Sequence, residues 1–189
     1  MKTISKLAIL AMLSVVLASC NKQETVKPTT QTNNGSDTST GQVTTTPTTN
    51  RIRSYNVNGV TKFDICCNPG DLDNSDSLLS ERVVLFSYDQ STIKSEYREV
   101  IAIHGRYLSQ NPNARVILEG HADERGTPEY NLALGEKRGN SVANLLRARG
   151  ASSGQISVVS YGEEKPAQIC SSESCWSQNR RVRIVYTAK

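Results

Sequence analysis

Histidine is scarce in this chain, with only His104 and His121 among 189 residues. No serine stands in the strand-to-helix elbow that activates a hydrolase nucleophile. His121 and Asp123, with Glu124 beside them, hint at a metal, yet the His-Ala-Asp spacing at a strand end has no third ligand in a clear position. The sequence therefore lacks the groups that hydrolytic or metal-dependent catalysis needs, and no enzyme and no cofactor is expected. Aromatic residues make up 5% of the chain, with a single tryptophan. None is interleaved with the basic cluster Arg180, Arg181 and Arg183, so nothing there stacks bases, and that cluster reads as a solvated sheet face. The net charge of +4 is modest and demands no polyanionic partner such as nucleic acid. An acidic run at Asp71, Asp73, Asn74, Asp76 and Glu81 lacks the glycine and terminal glutamate spacing of a calcium-binding EF-hand. Its members read as helix-capping and turn residues. Long apolar runs are also missing, because Leu7 to Leu17 is too short to cross a bilayer as a permanent helix.

That short run has another reading. Lys2 and Lys6 precede it, and Leu17-Ala18-Ser19-Cys20 follows it, which is the arrangement of a bacterial lipoprotein signal. Residues 1–19 are expected to be a signal peptide and Cys20 the acylated first residue of the mature chain. Each buried methylene contributes roughly 0.8 kcal/mol, so several acyl chains anchor durably where one does not. Asn21 in place of aspartate resembles an outer-membrane address. Residues 20–58 are rich in Thr, Asn, Gln and Ser and hold few large apolar groups, so they cannot offset their ordering entropy and read as a disordered tether. Residues 59–80 form an N-terminal extension of the domain proper, residues 81–189. Tyr55, Val57, Val60, Phe63 and Ile65 suggest a short strand or a hairpin, with Asn58-Gly59 as the turn.

The domain alternates strand and helix patterns. Arg82 to Ser87 reads as a strand, and Ser91 or Thr92 is placed to cap a helix that runs to about Gln110. Asn111-Pro112-Asn113 ends that helix, because proline removes a donor and restricts its predecessor. Arg115 to Glu119 is a second strand. Thr127 at the cap and Pro128 at the first helical position start a long helix that stops at Gly150. Gln155 to Tyr161 and Arg181 to Tyr186 complete four strands.

On that long helix, turning about 100° per residue from Leu134 puts Arg138 at about 40°, Leu145 at about 20° and Val142 at about 80°. Arg138 therefore lies inside the apolar arc. An arginine keeps its charge, so it must meet a partner there. One reading is an internal salt bridge to Asp123, Glu119 or Glu136, a purely structural brace. The other is that Asp123 and Arg138 form a polar floor for a ligand that carries both signs of charge, since guanidinium suits a carboxylate and aspartate an ammonium.

Gly120-His121-Ala122-Asp123-Glu124-Arg125-Gly126-Thr127-Pro128-Glu129-Tyr130-Asn131, followed by Leu134, Gly135, Arg138, Gly139 and Val142, closely resembles the OmpA C-terminal-like family. The similarity runs from about Val83 to Tyr186. It implies an α+β fold, a sandwich of a mixed four-stranded sheet with two main helices packed on it. It further implies that Asp123 and Arg138 bind the diaminopimelate of uncrosslinked peptidoglycan stem peptides, Asp123 taking the side-chain ammonium and Arg138 the side-chain carboxylate. Thr127 and the N–H groups beside it are placed for a second carboxylate. Asn131 supports the loop or the peptide, and Asp89 lines the same groove. Lipid-anchored members link the outer membrane to the cell wall, bind TolB and work with the Tol complex at cell division, whereas a general wall anchor of the same family would share the groove without a Tol role.

The family pattern does not suggest Cys66, Cys67, Cys170 and Cys175. An oxidising periplasm favours two disulfides. The adjacent pair is sterically poorly placed to bond to itself, so Cys66 and Cys67 are expected to reach Cys170 and Cys175, or Cys170 pairs with Cys175 locally. Zinc held by the four thiolates is the other possibility.

Overall fold

A computed structural model describes residues 52–189. The expected signal peptide, the acylation site Cys20 and most of the tether lie outside the described residues. The first elements are β1 (Ser54–Val57) and β2 (Val60–Phe63), an antiparallel pair. Asn58 and Gly59 turn it with φ of 52° and 81°, the left-handed values that a two-residue hairpin turn requires. Strand β1 thus lies inside the span expected to be tether. In the acidic segment that follows, Asp71 accepts from the Asn68 N–H and Asn74 from the Asp76 N–H, as capping and turn residues do.

The main sheet contains β3 (Val83–Leu85), β4 (Arg115–His121), β5 (Ile156–Gly162) and β6 (Arg181–Ala188), in the spatial order β3-β6-β4-β5. Strands β4 and β5 are parallel and the other pairs antiparallel, so the sheet is mixed. A parallel pair needs a crossover. Helix α2 (Pro128–Ala148) supplies it, and α1 (Arg98–Gln110) joins β3 to β4. Both helices bury their apolar stripes against one another and the sheet: Val100, Ile101 and Leu108 from α1, Val142 and Leu146 from α2, Val116, Leu118 and Val182 from the strands, all 1% exposed or less. A short helix, α3 (Glu173–Asn179), interrupts the connection between β5 and β6. No helix among the described residues is long and apolar enough to cross a membrane.

Three expectations need correction. Neither Ser91 nor Thr92 caps α1. A 3-10 turn at Ser95–Tyr97 leads into it, and Tyr97 holds the cap position without a side-chain bond. Residues 87–94 stay a loop because their carbonyls are needed elsewhere, as described below. Second, the basic cluster of β6 is not a solvated face: Arg180 and Arg181 are 5% and 7% exposed, and only Arg183 faces solvent, paired with Glu119 at 3.0 Å. Third, of the disulfide arrangements left open, the local Cys170–Cys175 pair is the one formed, while Cys66 bonds to its neighbour Cys67, against the steric expectation. Cys67 lies at the C-terminal end of α1, where its carbonyl accepts from Asn111, while Cys170 and Cys175 lie beyond the far end of β4. The seven residues of β4 separate those ends by roughly 20 Å, too far for a cross-connection or a shared zinc.

Helix α2 approaches the sheet through glycine. A Cβ added to Gly120 in β4 would overlap the carbonyl of Gly135 in α2, and one added to Gly135 would overlap the Ser160 hydroxyl. Backbone meets backbone there, which draws Arg138, one turn further on, against the end of β4. Gly120→Ala is expected to destabilise the domain by about 1–3 kcal/mol through overpacking, read as a lower melting temperature in circular dichroism.

His104 is wholly buried in α1, its two ring nitrogens 2.9 Å from the Tyr186 hydroxyl and the Glu81 carbonyl. Nε2–H donates to that carbonyl, leaving Nδ1 to accept from tyrosine, a neutral ring with both atoms satisfied. Burial pushes its pKa down from 6.5 to about 4. The unfolded chain therefore takes up a proton near pH 6.5 that the folded chain refuses until about pH 4. Stability is complete above pH 6.5 and declines as pH falls across that window. Between denaturant titrations at pH 7.5 and pH 4.5, His104 should account for a loss on the order of 2–3 kcal/mol, so the loss in His104→Gln should be smaller than that of the wild-type chain by this amount.

Candidate functional site

At the C-terminal end of β4 the chain enters the loop 122–127 and then α2, and a cleft of about 170 Å³ opens between this loop and residues 88–89. Asp123, Arg138, Asn131 and Asp89 all line it, as does Arg125. Thr127 does not. It sits at the cap of α2, where its hydroxyl accepts from the Tyr130 N–H and its carbonyl from the Asn131 N–H. Pro128 has no N–H at all, so the helix start offers an anion fewer donors than expected.

Arg138 has no exposed surface and is the largest fully buried side chain among the described residues. It forms no salt bridge among the described residues, contrary to the internal-pair reading. Instead Nε donates to the Gln90 carbonyl at 2.8 Å, Nη1 to the His121 carbonyl at 2.8 Å and Nη2 to the Ser87 carbonyl at 3.2 Å. The Phe86 ring lies 5.4 Å from the guanidinium carbon. These carbonyls explain the loop at residues 87–94: Asp89, at φ 53°, turns the backbone so that both Ser87 and Gln90 face the cation. Burial pulls the Arg138 pKa down to about 10, which leaves it charged. Of five N–H donors on a guanidinium, three are used here, and two remain.

Asp123 is 3% exposed. Its partners are Arg125 and Arg180. Oδ1 accepts from the Arg125 backbone N–H and from its Nε, both at 3.1 Å, and Oδ2 accepts from Arg125 Nη2 at 2.7 Å and Arg180 Nη1 at 3.1 Å. Burial alone would raise the Asp123 pKa, but the bonds from Arg125 and Arg180 outweigh it and hold the carboxyl below its usual range. Arg180 is anchored further by the Phe86 carbonyl and by Glu173 of α3. The Arg125 guanidinium lies between two aromatic faces, 4.0 Å from the Tyr88 centroid and 4.1 Å from that of Trp176. Trp176 donates to Glu124 at 3.1 Å.

On the exposed side of the cleft the Tyr130 hydroxyl donates to Asp89. Asn131, 1% exposed, donates to Glu163. His121 is buried and its ring stacks on Tyr161, centroids 5.5 Å apart. Burial first, and then Arg181, Arg183 and Lys165, push its pKa down to about 4, so at neutral pH it carries no charge into the site.

The structure thus gathers four of the five expected residues around one cleft and adds Arg125, Arg180, Tyr88, Tyr130, Glu173 and Trp176, which the sequence pattern did not single out. Arg125 had a signal, two residues after Asp123 within the same loop. Trp176 had another, as the one tryptophan, next to a cysteine.

A profile of the OmpA family matches residues 85–180. The peptidoglycan-associated lipoprotein of Pasteurella multocida is 46% identical over 103 residues, 54% of this chain and 69% of that protein. The protein of that name from Legionella pneumophila is 49% identical over 107 residues, which span 57% of this chain and 61% of the relative. That of Brucella melitensis is 31% identical over 181 residues, 96% of this chain and 91% of the relative. The crystal structure of the peptidoglycan-associated lipoprotein from Burkholderia pseudomallei superposes with a TM-score of 0.61 at 38% identity, covering 62% of this chain and 99% of that one. The C-terminal domain of Helicobacter pylori MotB, at 19% identity and a TM-score of 0.52, shares the fold. With half its length matched by the family profile and a relative aligned along nearly all of it, the chain belongs to the OmpA family, among its peptidoglycan-associated lipoproteins.

Proposed function

We propose that this chain is an outer-membrane lipoprotein that holds the membrane to the cell wall by non-covalent capture of peptidoglycan stem peptides. The relatives are named for an association with peptidoglycan and not for a reaction, and the cleft supports binding of the same kind. In this reading the signal peptide is removed, acylated Cys20 sits in the outer membrane, the tether crosses part of the periplasm, and residues 81–189 present the cleft to the wall.

The observation that carries the reading is a buried cation with two unspent N–H groups lining the same cleft as a buried carboxylate. The side-chain end of diaminopimelate carries one ammonium and one carboxylate. Asp123 takes the ammonium, and Arg138 takes the carboxylate with the donors left over from Ser87, Gln90 and His121. Arg138 has no exposed surface, so the carboxylate reaches it by displacing a neighbour. Tyr130, 48% exposed and bonded through its hydroxyl only to Asp89, is the one least held. Asn131 and Asp89 border the ligand, while Thr127 acts through the helix cap. Arg138 also ties two backbone segments to α2, so the structural and ligand-binding readings of this residue hold together. By family membership we also assign a place in the Tol system with TolB as partner, and capture of purified TolB by the full-length chain separates this from a general wall anchor.

The test uses the oxidised full-length chain in detergent. Muropeptides containing diaminopimelate should bind at least about tenfold more tightly than lysine-containing counterparts, the worth of a charged hydrogen-bond pair. Asp123→Asn should weaken sedimentation with diaminopimelate-type sacculi while the fold persists. Arg138→Lys retains the charge but cannot reach three carbonyls, so it should lose binding together with about 2 kcal/mol of stability. Equal affinity for the two muropeptides by a folded protein would refute the assignment.

A further inference from the structure

We infer that Arg125 is a resident cation of the Asp123 subsite, which the ammonium of an incoming ligand displaces, and that the disulfide-clipped helix α3 holds the position to which it moves. The inference rests on the wall-binding reading of the cleft. Its starting point is a count. A carboxylate offers about four lone-pair positions, and Asp123 receives four hydrogen bonds, from Arg125 N, Nε and Nη2 and from Arg180 Nη1. An ammonium that arrives at Asp123 finds no acceptor free, so a donor has to leave.

The two guanidiniums are not equally held. Arg180 is 5% exposed and fixed by Phe86 and Glu173 in addition to Asp123. The backbone N–H of Arg125 belongs to the loop and stays. Its side chain is 30% exposed, and its only carboxylate bonds are the two to Asp123. It also has somewhere to go, because Nη2 already lies 3.6 Å from Glu173 Oε2, itself 62% exposed. Tyr88 and Trp176 flank the guanidinium on its two faces and contribute cation–π attraction, so it can slide from Asp123 towards Glu173 between the rings. Desolvation is small in this exchange, since one cation replaces another at the buried carboxylate.

Glu173 and Trp176 are three residues apart on α3 and share a face. The Cys170–Cys175 bridge, with Cα atoms 5.7 Å apart, closes the loop at the start of that helix and fixes the pair beside Arg125. The bridge, the ring and the carboxylate are in this view one device that positions Arg125.

Trp176 is the only tryptophan in the full chain, and it stacks on the group that moves. Its fluorescence therefore reports the exchange. The oxidised full-length chain in detergent is titrated with L-Ala-γ-D-Glu-meso-diaminopimelate and, separately, with the same tripeptide acetylated on the side-chain amine, and heats are measured in parallel. The unmodified tripeptide should change Trp176 emission with the midpoint seen by calorimetry, and the acetylated one should not. Arg125→Gln, which vacates the subsite, should bind the unmodified tripeptide about three- to tenfold more tightly. Constant emission during calorimetrically evident binding, an equal change with the acetylated peptide, or equal or weaker binding by Arg125→Gln would each overturn the displacement while the wall-binding reading survives. Absence of any heat with the wild-type chain would overturn both.

Discussion

One guanidinium sets the geometry of this domain's functional end. Arg138 reaches the interior because Gly120 and Gly135 allow α2 to touch the sheet, and once inside it must satisfy its donors. Three carbonyls answer, from Ser87, Gln90 and His121, and they belong to two chain segments 17 and 48 or more residues away from it in sequence. The cation thereby joins the end of β3, the end of β4 and the middle of α2. A buried charge with no counter-ion is costly, yet carbonyl dipoles aimed at it from three sides supply part of what water would. Because they are neutral, they leave the positive charge uncancelled and available to an anion.

The neighbouring carboxylate follows the opposite logic. Asp123 is surrounded by formal charges, Arg125 from its own loop and Arg180 from the residue before β6, and those pairs keep it ionised despite burial. The two halves of the cleft therefore differ in what a ligand meets. Arg138 is bonded only to groups that carry no charge, while Asp123 is already neutralised by mobile and fixed cations. Replacement is the natural route to the second, and addition to the first.

Much of this was legible in the sequence, because local chemistry decided it. Thr127-Pro128 and Gly150 bound α2, Asn58-Gly59 turns the hairpin, and the apolar spacing put Arg138 inside the arc where it is found. What was not legible depends on partners far away in sequence. The Ser91-Thr92 cap fails because the preceding carbonyls are turned to Arg138 and hold the loop open. The burial of Arg180 and Arg181 was not legible, since Glu173 of α3 and the Lys165 carbonyl, which bond to them, lie outside the pattern of β6. Helix α3 itself has seven residues and little apolar periodicity, so a pattern search passes over it. The pairing of Asp123 with Arg180 spans 57 residues and depends on the pairing of β4 with β6.

Charge accounting around the cleft gives a reason for the kind of ligand proposed. Arg125, Arg138 and Arg180 face Asp89, Asp123 and Glu173, so the formal charges of this set balance. A ligand end bearing a single carboxylate would satisfy Arg138 but add net negative charge beside three acidic groups. One bearing a single ammonium would exchange with Arg125 and leave the buried Arg138 as it was. An end with both charges keeps the balance, satisfies the unspent donors and lets the displaced guanidinium settle on Glu173 without leaving its aromatic neighbours. In a site where three of the charged groups have almost no contact with water, preserving that balance is worth more than any single contact, since each uncompensated charge there carries the desolvation cost alone.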